Sequence, residues 1–468
     1  MKSNTLQNLR SQLFDGNLSV CEIVNYYLEQ IDTHSSLNAY IEVWKDEALQ
    51  KASELDHKIT NGKEVGKLAG AVFSVKDVIC VEDKIVTGAS KILDNYRSPF
   101  NATVIDKILQ EDGILIGRTN CDEFAMGSDN RNSFYGPALN KLGEDKVPGG
   151  SSGGAAVSIQ IDSCLVALGS DTGGSVRQPA AFTGTIGIKP TYGRLSRYGL
   201  LAYASSFDQI GLIGNHPEDL LTTLNIISGT DINDGTVSPT ANEAISATIE
   251  AKLKLGIMNS GFDHHSMDPE IRTFSKQFIE KTLQDKYTVE NAEFDLIDYV
   301  IPTYYILTSA EASANLSRYD GVRYGYRAEN VKSLNELYTK SRTQGFGKEV
   351  KRRIITGTYV LSSGYYDAYY KRGQQARRIL VKKIKSLMEE FDAIICPITP
   401  KFPWSIDEKI SPVELYMSDI FSVLPNLTGF PAISIPIGTS QNGYPIGIQI
   451  ISNSWEEGKL LKIAQDVL

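Results

Sequence analysis

Short apolar segments typical of strands alternate with helical patterns along most of this chain of 468 residues. Residues 68–80 are apolar and rich in β-branched side chains, and they predict a buried strand that ends near Lys76. Further strands are predicted at residues 114–120, 164–169, 254–261, 392–398, 431–438 and 444–452. Helices are predicted over residues 6–58, 268–290 and 304–390, and after Thr103, Ser152, Gln178 and Pro217. This alternation predicts an α/β fold, a mixed and mostly parallel sheet covered by helices on both faces.

Composition and charge exclude several classes of protein. The chain has 47 Lys and Arg against 56 Asp and Glu, a net charge of −9, which argues against a chain that grips nucleic acid by itself. The charge does not exclude a subunit whose partner binds the nucleic acid. The five cysteines are scattered and form no CxxC pair, which excludes a zinc ribbon and fits a reducing compartment. The N-terminal residues MKSNTLQNLRSQLFDGN contain no apolar h-region, so we expect no signal peptide. No apolar run approaches 18 residues, so we expect no membrane contact and a cytoplasmic location.

Two loops rich in Gly and Ser lie within residues 147–199. The first, GGSSGG at 149–154, formally matches the GxSxG nucleophile elbow. That elbow needs a preceding strand and a histidine base, but the preceding residues predict a poor strand and none of the five histidines lies in a Gly-rich loop. No GxxxxGK[ST] occurs, and no GxGxxG lies between a strand and a helix, so we expect no nucleotide site on this chain.

A lysine can replace histidine as the base for a serine when burial removes its proton near neutrality. Lowering the pKa of a lysine by about three units corresponds to roughly 4 kcal/mol, which only a buried site can impose. Lys76 satisfies this demand, since it ends an apolar strand. The alternative is an ordinary lysine at the end of a strand that reaches solvent or pairs with Asp77.

The second loop, GSDTGGS at 169–175, follows a predicted strand and leads into a helix. Glycines let its backbone turn tightly and aim several N–H groups at one point, which is how an oxyanion hole is built. Ser175 would present its hydroxyl beside those donors. The alternative is that Ser175, like Ser151 and Ser152, caps a helix.

These motifs, with SVKD around Lys76 and the continuation VRQPAAFTGTIGIKPTYGRLS, resemble the amidase signature family over essentially the whole chain. The resemblance implies the amidase-signature fold as one domain over residues 1–468. Its parts would be a helical layer at 1–60, a core with the catalytic loops at 61–240 and a substrate-pocket part at 241–468. It also implies a catalytic triad with Ser175 as nucleophile, Ser151 in a cis peptide as proton relay and Lys76 as base. The oxyanion donors would be the backbone amides of Thr172, Gly173, Gly174 and Ser175.

Further stretches resemble one branch of that family, the A subunits of aspartyl/glutamyl-tRNA amidotransferases; among them are RTNCDEFAMGSDN at 118–130 and SDIFSVLPNLTGFPAISIP at 418–436. The branch implies glutamine as the substrate, with Asp419 for its ammonium and Arg353, or as second choice Arg352, for its carboxylate. The predicted pocket also contains Ser152 and a tyrosine, Tyr304 or Tyr305. The alternative for the two arginines is an exposed, charged helix face, and the alternative for the two tyrosines is a place in the apolar core.

The resemblance further implies a glutaminase that supplies ammonia to partner B and C subunits, which amidate misacylated tRNA. This chain would then carry no metal and no cofactor, and ATP and Mg²⁺ would belong to the partner. The alternative is a stand-alone hydrolase of another small amide, which needs no clamp for an amino acid.

Overall fold

Eleven strands form one sheet in the computed structural model, which describes residues 4–143, 145–249 and 252–468. The strands are β1 Tyr40–Val43, β2 Val72–Lys76, β3 Ile114–Thr119, β4 Val166–Asp171, β5 Ile186–Lys189, β6 Gln209–Gly214, β7 Lys254–Ile257, β8 Thr288–Asn291, β9 Ala393–Pro397, β10 Ala432–Thr439 and β11 Pro445–Ser452. Their order across the sheet is β1-β3-β2-β4-β6-β5-β10-β11-β9-β7-β8.

Helices flank this sheet, as the alternating pattern predicts. They are α1 Leu6–Phe14, α2 Val20–Thr33, α3 Lys45–Thr60, α4 Thr103–Gln110, α5 Gly153–Gln160, α6 Arg177–Thr183, α7 Pro217–Ile227, α8 Asn259–Phe262, α9 Pro269–Phe278, α10 Gln284–Lys286, α11 Val300–Asn315, α12 Leu334–Gly345, α13 Lys348–Leu361, α14 Arg372–Glu390, α15 Pro412–Met417, α16 Leu424–Thr428 and α17 Glu457–Val467. Local signals explain several starts: Ser19 and Glu22 form a capping box before α2, and Pro217 occupies the first turn of α7.

The α/β class and the mixed sheet are confirmed, but the parallel share of the sheet is smaller than expected. Of the ten pairings between described strands, four are parallel and six antiparallel. Parallel pairing is confined to β3-β2-β4 and to β9-β7-β8. Strands β10 and β11 are joined by only five residues, 440–444, and so short a connection permits only an antiparallel pair.

Three predicted helical segments differ from the structure. The segment 268–290 ends in a strand, because residues from Thr288 onward form β8 and pair with β7. The N-terminal segment 1–60 is not purely helical, because β1 lies between α2 and α3 and pairs with β3. The four residues of β1 are too few for hydrophobic periodicity to distinguish a strand from a helix, and they form a strand because they pair with the edge of the sheet at β3. The segment 304–390 is divided among α11, α12, α13 and α14.

The sheet places two carboxyl-terminal strand ends side by side. Strands β2 and β4 are parallel neighbours, with Val75 opposite Leu168, so Lys76 and the residues that follow Gly169 emerge at the same edge. A second apolar core, distinct from the one under β2 and β4, includes Tyr304, Val350 and Phe421 and lies beneath α11 and α13. Within the described residues, no helix is long and apolar enough to cross a membrane.

Candidate active site

Lys76 is fully buried at the end of β2, and its Nζ is surrounded by serine hydroxyls. The Oγ atoms of Ser151, Ser152 and Ser170 lie 2.7, 2.9 and 2.9 Å from Nζ. Burial lowers the pKa of Lys76 to about 8, because desolvation penalises the ammonium more than nearby carboxylates favour it. The amine form is therefore accessible near neutral pH.

The alternative interpretation of Lys76 as a solvent-exposed or Asp77-paired lysine is wrong. Asp77 is held instead by Arg118, whose Nη1 lies 2.7 Å from Oδ1, and by the Thr87 hydroxyl. The side chain of Lys76 has no exposed surface. Because Asp77 is bound by these other groups, the partners of Lys76 Nζ are the three serine hydroxyls and, at 3.5 Å, the carbonyl of Ser170.

The loop that carries Ser151 and Ser152 turns both hydroxyls toward Lys76. The Gly150–Ser151 peptide bond is cis, as the family resemblance implies. Ser152 precedes α5, but its hydroxyl does not cap that helix; it donates to the carbonyl of Ser170, 3.1 Å away. The fully buried side chain of Ser152 supports the lysine, and its contact with the substrate stays a prediction.

The hydrogen bonds of Ser152 indicate which neighbouring serine can donate a proton to Lys76. The proton of the Ser152 hydroxyl is engaged by the Ser170 carbonyl, so Ser152 accepts from Nζ and has no proton to give it. A neutral amine has two N–H donors and one lone pair. Ser151, at 2.7 Å, is placed to donate its proton to that lone pair.

An ion pair between Asp171 and Arg177, both without exposed surface, frames the loop that carries Ser175. The Asp171 carboxylate accepts from Arg177 Nη2 at 2.9 Å and from Asn426 Nδ2 at 3.0 Å. Its pKa is lowered to about 2, since the neighbouring guanidinium outweighs the desolvation that would raise it. Ser175 does not cap α6, which begins after Val176, and its carbonyl accepts the Ser152 N–H at 3.1 Å.

One predicted oxyanion donor is corrected by the structure. The Gly174 N–H donates to Asp171 Oδ1 at 2.8 Å and so is committed to the loop itself. The amides of Thr172, Gly173 and Ser175 remain as the predicted donors. The Ser422 hydroxyl donates to the Gly173 carbonyl at 2.6 Å, which fixes the peptide plane from the other side. A Cβ at Gly173 would collide with the Tyr304 hydroxyl, so glycine permits this close approach.

Asp419 and Arg353 place opposite charges in one buried pocket. Asp419 Oδ2 accepts from the hydroxyls of Ser128 at 2.7 Å and Tyr305 at 2.9 Å. Desolvation raises the pKa of Asp419 to about 7, against those two hydrogen bonds, which lower it. Ser422, three residues after Asp419, contacts the oxyanion loop, so the acidic end of the pocket adjoins that loop.

Arg353 is the buried arginine of the KRRI segment and projects from α13 among aromatic rings. Its guanidinium lies 5.1 Å from the ring centre of Tyr305, and Nη1 donates to the Tyr203 hydroxyl at 2.6 Å. Nε donates to Glu349 at 2.8 Å. Arg352 is about a third exposed and contacts the other oxygen of Glu349 from outside. The structure therefore places Arg353, and not Arg352, in the pocket.

Both candidate tyrosines lie at the site, on different sides of it. Tyr304 reaches the oxyanion loop at Gly173, whereas Tyr305 bridges Asp419 and the Arg353 guanidinium. Adjacent positions on α11 point about 100° apart, so the two rings diverge to different neighbours.

Several site residues were not predicted from the sequence. They are Ser170, Tyr203, Asp208, Glu349, Tyr416 and Ser422. Ser170 could have been found, since it stands within the Gly-rich loop itself. Ser422 stands three residues after the predicted Asp419 and Glu349 four residues before the predicted Arg353, so proximity in the sequence was their only signal. For Tyr203, Asp208 and Tyr416, only the packing of distant segments shows that they lie at the site.

The nucleophile-elbow alternative lacks its structural context. Residues 147–150, before Ser151, form no strand, and a helix follows directly. The histidines lie elsewhere: His34 follows α2, His57 belongs to α3, His216 precedes α7, and His264 contacts the ring of His265. Among the described residues, no group of three or more His, Cys, Asp or Glu side chains is arranged to hold a metal ion.

Comparison with known proteins agrees with this geometry. A family model described as Amidase matches residues 22–461. The chain is 46% identical to the A subunit of glutamyl-tRNA(Gln) amidotransferase from Chlorobium phaeobacteroides (strain DSM 266), over 99% of this chain and 98% of that protein. It is 45% identical to the protein of the same name from Chlorobaculum tepidum, over 99% and 98%. The crystal structure of the corresponding A subunit from Thermotoga maritima superimposes with a TM-score of 0.80 at 33% identity, covering 100% of this chain and 94% of that one. With a matching family model over nearly all of its length, and with the motifs placed as described, this chain belongs to the amidase signature family.

Proposed function

We propose that this chain is the glutaminase subunit of a glutamyl-tRNA(Gln) amidotransferase and that it acts in the cytoplasm. It hydrolyses glutamine to glutamate and ammonia, and the ammonia passes to a partner that amidates misacylated tRNA. The relatives that span almost the whole chain carry the name of that enzyme. The observation that supports the substrate assignment is that buried Asp419 and buried Arg353 both contact Tyr305 in one pocket beside the oxyanion loop. An α-amino acid needs both charges, and a generic amide needs neither.

In the first chemical step, Ser175 Oγ attacks the side-chain amide carbon of glutamine. Its proton moves to Ser151 Oγ as Ser151 gives its own proton to the Lys76 amine, 2.7 Å away. The negative oxygen of the tetrahedral intermediate is held by the amides of Thr172, Gly173 and Ser175. These donors are fixed in advance by the Asp171–Arg177 pair and by Ser422.

Collapse of the intermediate breaks the C–N bond and leaves a γ-glutamyl ester on Ser175. The Lys76 ammonium returns its proton through Ser151 to the departing nitrogen, which leaves as ammonia. Water then attacks the ester with the same groups acting again as base and acid, and glutamate is released. Lys76 is neutral at the start and at the end of each half-reaction, which its lowered pKa permits.

The partners follow from the fate of ammonia. We propose B and C subunits like those of the amidotransferases, with ATP and Mg²⁺ bound by the amidating partner and with the tRNA, charged with glutamate or aspartate, held mainly there. The acidic balance of this chain supports that division, since a surface that neutralises phosphates must be basic.

Ser175→Ala in the assembled enzyme tests the proposal. Glutamine-dependent amidation should be lost, while amidation from added ammonium chloride should persist, because only the ammonia source is removed. Ser434→Ala is a matched control, since Ser434 is buried in β10 and its hydroxyl has no partner among the described residues. Retained glutaminase activity in Ser175→Ala would refute the assignment of Ser175 as the nucleophile. A wild-type chain that copurifies with no partner, and cleaves simple amides as fast as glutamine, would instead favour the stand-alone amidase.

A further inference from the structure

Asp208 is a buried carboxylate that lies between the two halves of the site. Its Oδ1 accepts from the Thr172 hydroxyl at 2.7 Å, and its Oδ2 accepts from the backbone amides of Tyr203 and Ala204, each at 2.9 Å. Only 2% of Asp208 is exposed, and desolvation raises its pKa to about 6, against the three hydrogen bonds and the charge of Arg197, which lower it. A buried carboxylate needs such donors, because a buried charge without compensating contacts is costly.

Two of the residues that donate to Asp208, Thr172 and Tyr203, belong to different parts of the site. Thr172 supplies a predicted oxyanion donor through its own backbone amide. Tyr203 carries the hydroxyl that accepts from Arg353 Nη1 at 2.6 Å, and its ring centre lies 5.4 Å from the same guanidinium. Three consecutive contacts therefore connect the guanidinium to the oxyanion loop, through Tyr203, Asp208 and Thr172, all of them buried.

We propose that Asp208 is a positioning residue that couples recognition of the substrate carboxylate at Arg353 to the alignment of the oxyanion donors at Thr172. The inference rests on the proposed function, in that Arg353 receives the carboxylate of glutamine. A substrate carboxylate fixes the guanidinium against Tyr203. In its absence the guanidinium is held by hydrogen bonds to Glu349 and Tyr203 and by the rings of Tyr305 and Tyr416, and no contact from the substrate fixes the start of this path. The carboxylate then contributes to the rate of acyl transfer as well as to binding.

Two analogues of glutamine separate the two ends of the substrate. Glutaramate, the monoamide of glutaric acid, keeps the carboxylate and lacks the ammonium. 4-Aminobutanamide keeps the ammonium and lacks the carboxylate. The assay is release of ammonia by the assembled enzyme, with kcat and KM measured separately for glutamine and for both analogues.

Asp208→Asn is the diagnostic variant. An asparagine of the same shape cannot accept from the Thr172 hydroxyl and from the two amides together, because one side now carries N–H groups. We expect kcat to fall about tenfold for glutamine and glutaramate, and less than twofold for 4-aminobutanamide. Asp219→Asn is the matched control: Asp219 is also buried, also has its pKa raised to about 6 by desolvation, and accepts the Leu6 amide far from the site.

A second pair of variants keeps the test decisive if Asp208→Asn folds poorly. Thr172→Val removes the hydroxyl and should give the same carboxylate-dependent loss of kcat, and Thr172→Ser should recover most of it relative to Thr172→Val. An equal loss on all three substrates would show a purely structural role, and no loss would show no role; either result overturns the proposal. A wild-type enzyme that does not hydrolyse glutamine would refute the proposed function instead, so the two failures are distinguishable.

Discussion

The pH dependence of the reaction between Ser175 and a serine-directed inhibitor measures the pKa of Lys76 without involving the glutamine pocket. Phenylmethylsulfonyl fluoride sulfonylates an activated serine, and it needs neither Asp419 nor Arg353. The rate of labelling at Ser175 should therefore follow the fraction of Lys76 present as the amine. This isolates one ionisation from the carboxylate of Asp419, which also titrates near neutrality.

The magnitude follows from the pKa of Lys76, which burial lowers from 10.5 to about 8. The amine fraction is then about a tenth at pH 7 and about nine tenths at pH 9. We expect the labelling rate to rise about tenfold between these values, with a midpoint near pH 8. Lys76→Met keeps an unbranched, apolar chain of similar length and should label slowly and without that rise.

The assay is the pseudo-first-order rate of labelling, read by mass spectrometry on the peptide that contains Ser175 and corrected for hydrolysis of the reagent. Lys189→Met is a matched control, since Lys189 is also fully buried with a pKa lowered by desolvation, to about 7, yet its Nζ bonds the Pro190 carbonyl. That variant should keep the midpoint near pH 8. A midpoint near 6.5, or wild-type labelling in Lys76→Met, would refute lysine as the base.

The same ionisation has a signature in folding stability. The pKa of Lys76 is lower in the folded chain than in the unfolded chain, so between pH 8 and 10.5 the unfolded state binds the extra proton. Stability therefore rises with pH in that window. From pH 7 to 9.5 the wild type should gain about 2 kcal/mol more than Lys76→Met, measured by urea unfolding. An equal pH dependence in both proteins would contradict the lowered pKa.

Three further predictions concern the pocket and the oxyanion loop. Because the pKa of Asp419 is raised to about 7, the KM for glutamine should rise about eightfold from pH 7.5 to pH 6 as the carboxylate is protonated. Asp419→Asn should remove this pH dependence. A pH-independent KM in the wild type would contradict the role of Asp419 as the ammonium site. Arg353→Lys should raise the KM for glutamine at least tenfold and Arg352→Lys less than twofold, since only Arg353 is buried; equal effects would contradict the assignment. Gly173→Ala should lower kcat at least tenfold because its Cβ would meet the Tyr304 hydroxyl, and Gly173→Ala with Tyr304→Phe should recover part of the loss; an unchanged kcat would show that the loop yields.

Most of the proposed site residues could be nominated from the sequence because they stand in short motifs. Lys76 ends an apolar strand, and Ser151 and Ser175 stand in two Gly-rich loops, so residue type and neighbours were enough to nominate them. The strand and helix that frame the second loop, β4 and α6, were also predicted close to their observed positions. Such predictions depend on local backbone preferences, which a sequence carries directly.

The choices that the sequence left open were between neighbouring residues, and only packing could settle them. Arg352 and Arg353 have the same chemistry, but a step of about 100° around α13 buries one and leaves the other at the surface. Ser152 stands beside Ser151 in the same motif, yet the loop turns its hydroxyl onto the Ser170 carbonyl. A pattern of residue types contains no information about these directions.

The sequence by itself determined the class of fold and nominated the two Gly-rich loops and the lysine that we propose as the base. Tertiary structure decided the larger antiparallel share of the sheet, the loss of Gly174 as an oxyanion donor and the path through Asp208. The physical reason is the range of the interactions. Strand and loop propensities act over a few residues, whereas Asp208, Thr172 and Arg353 are separated by 36 and 145 positions and meet only when the sheet and α13 bring them together.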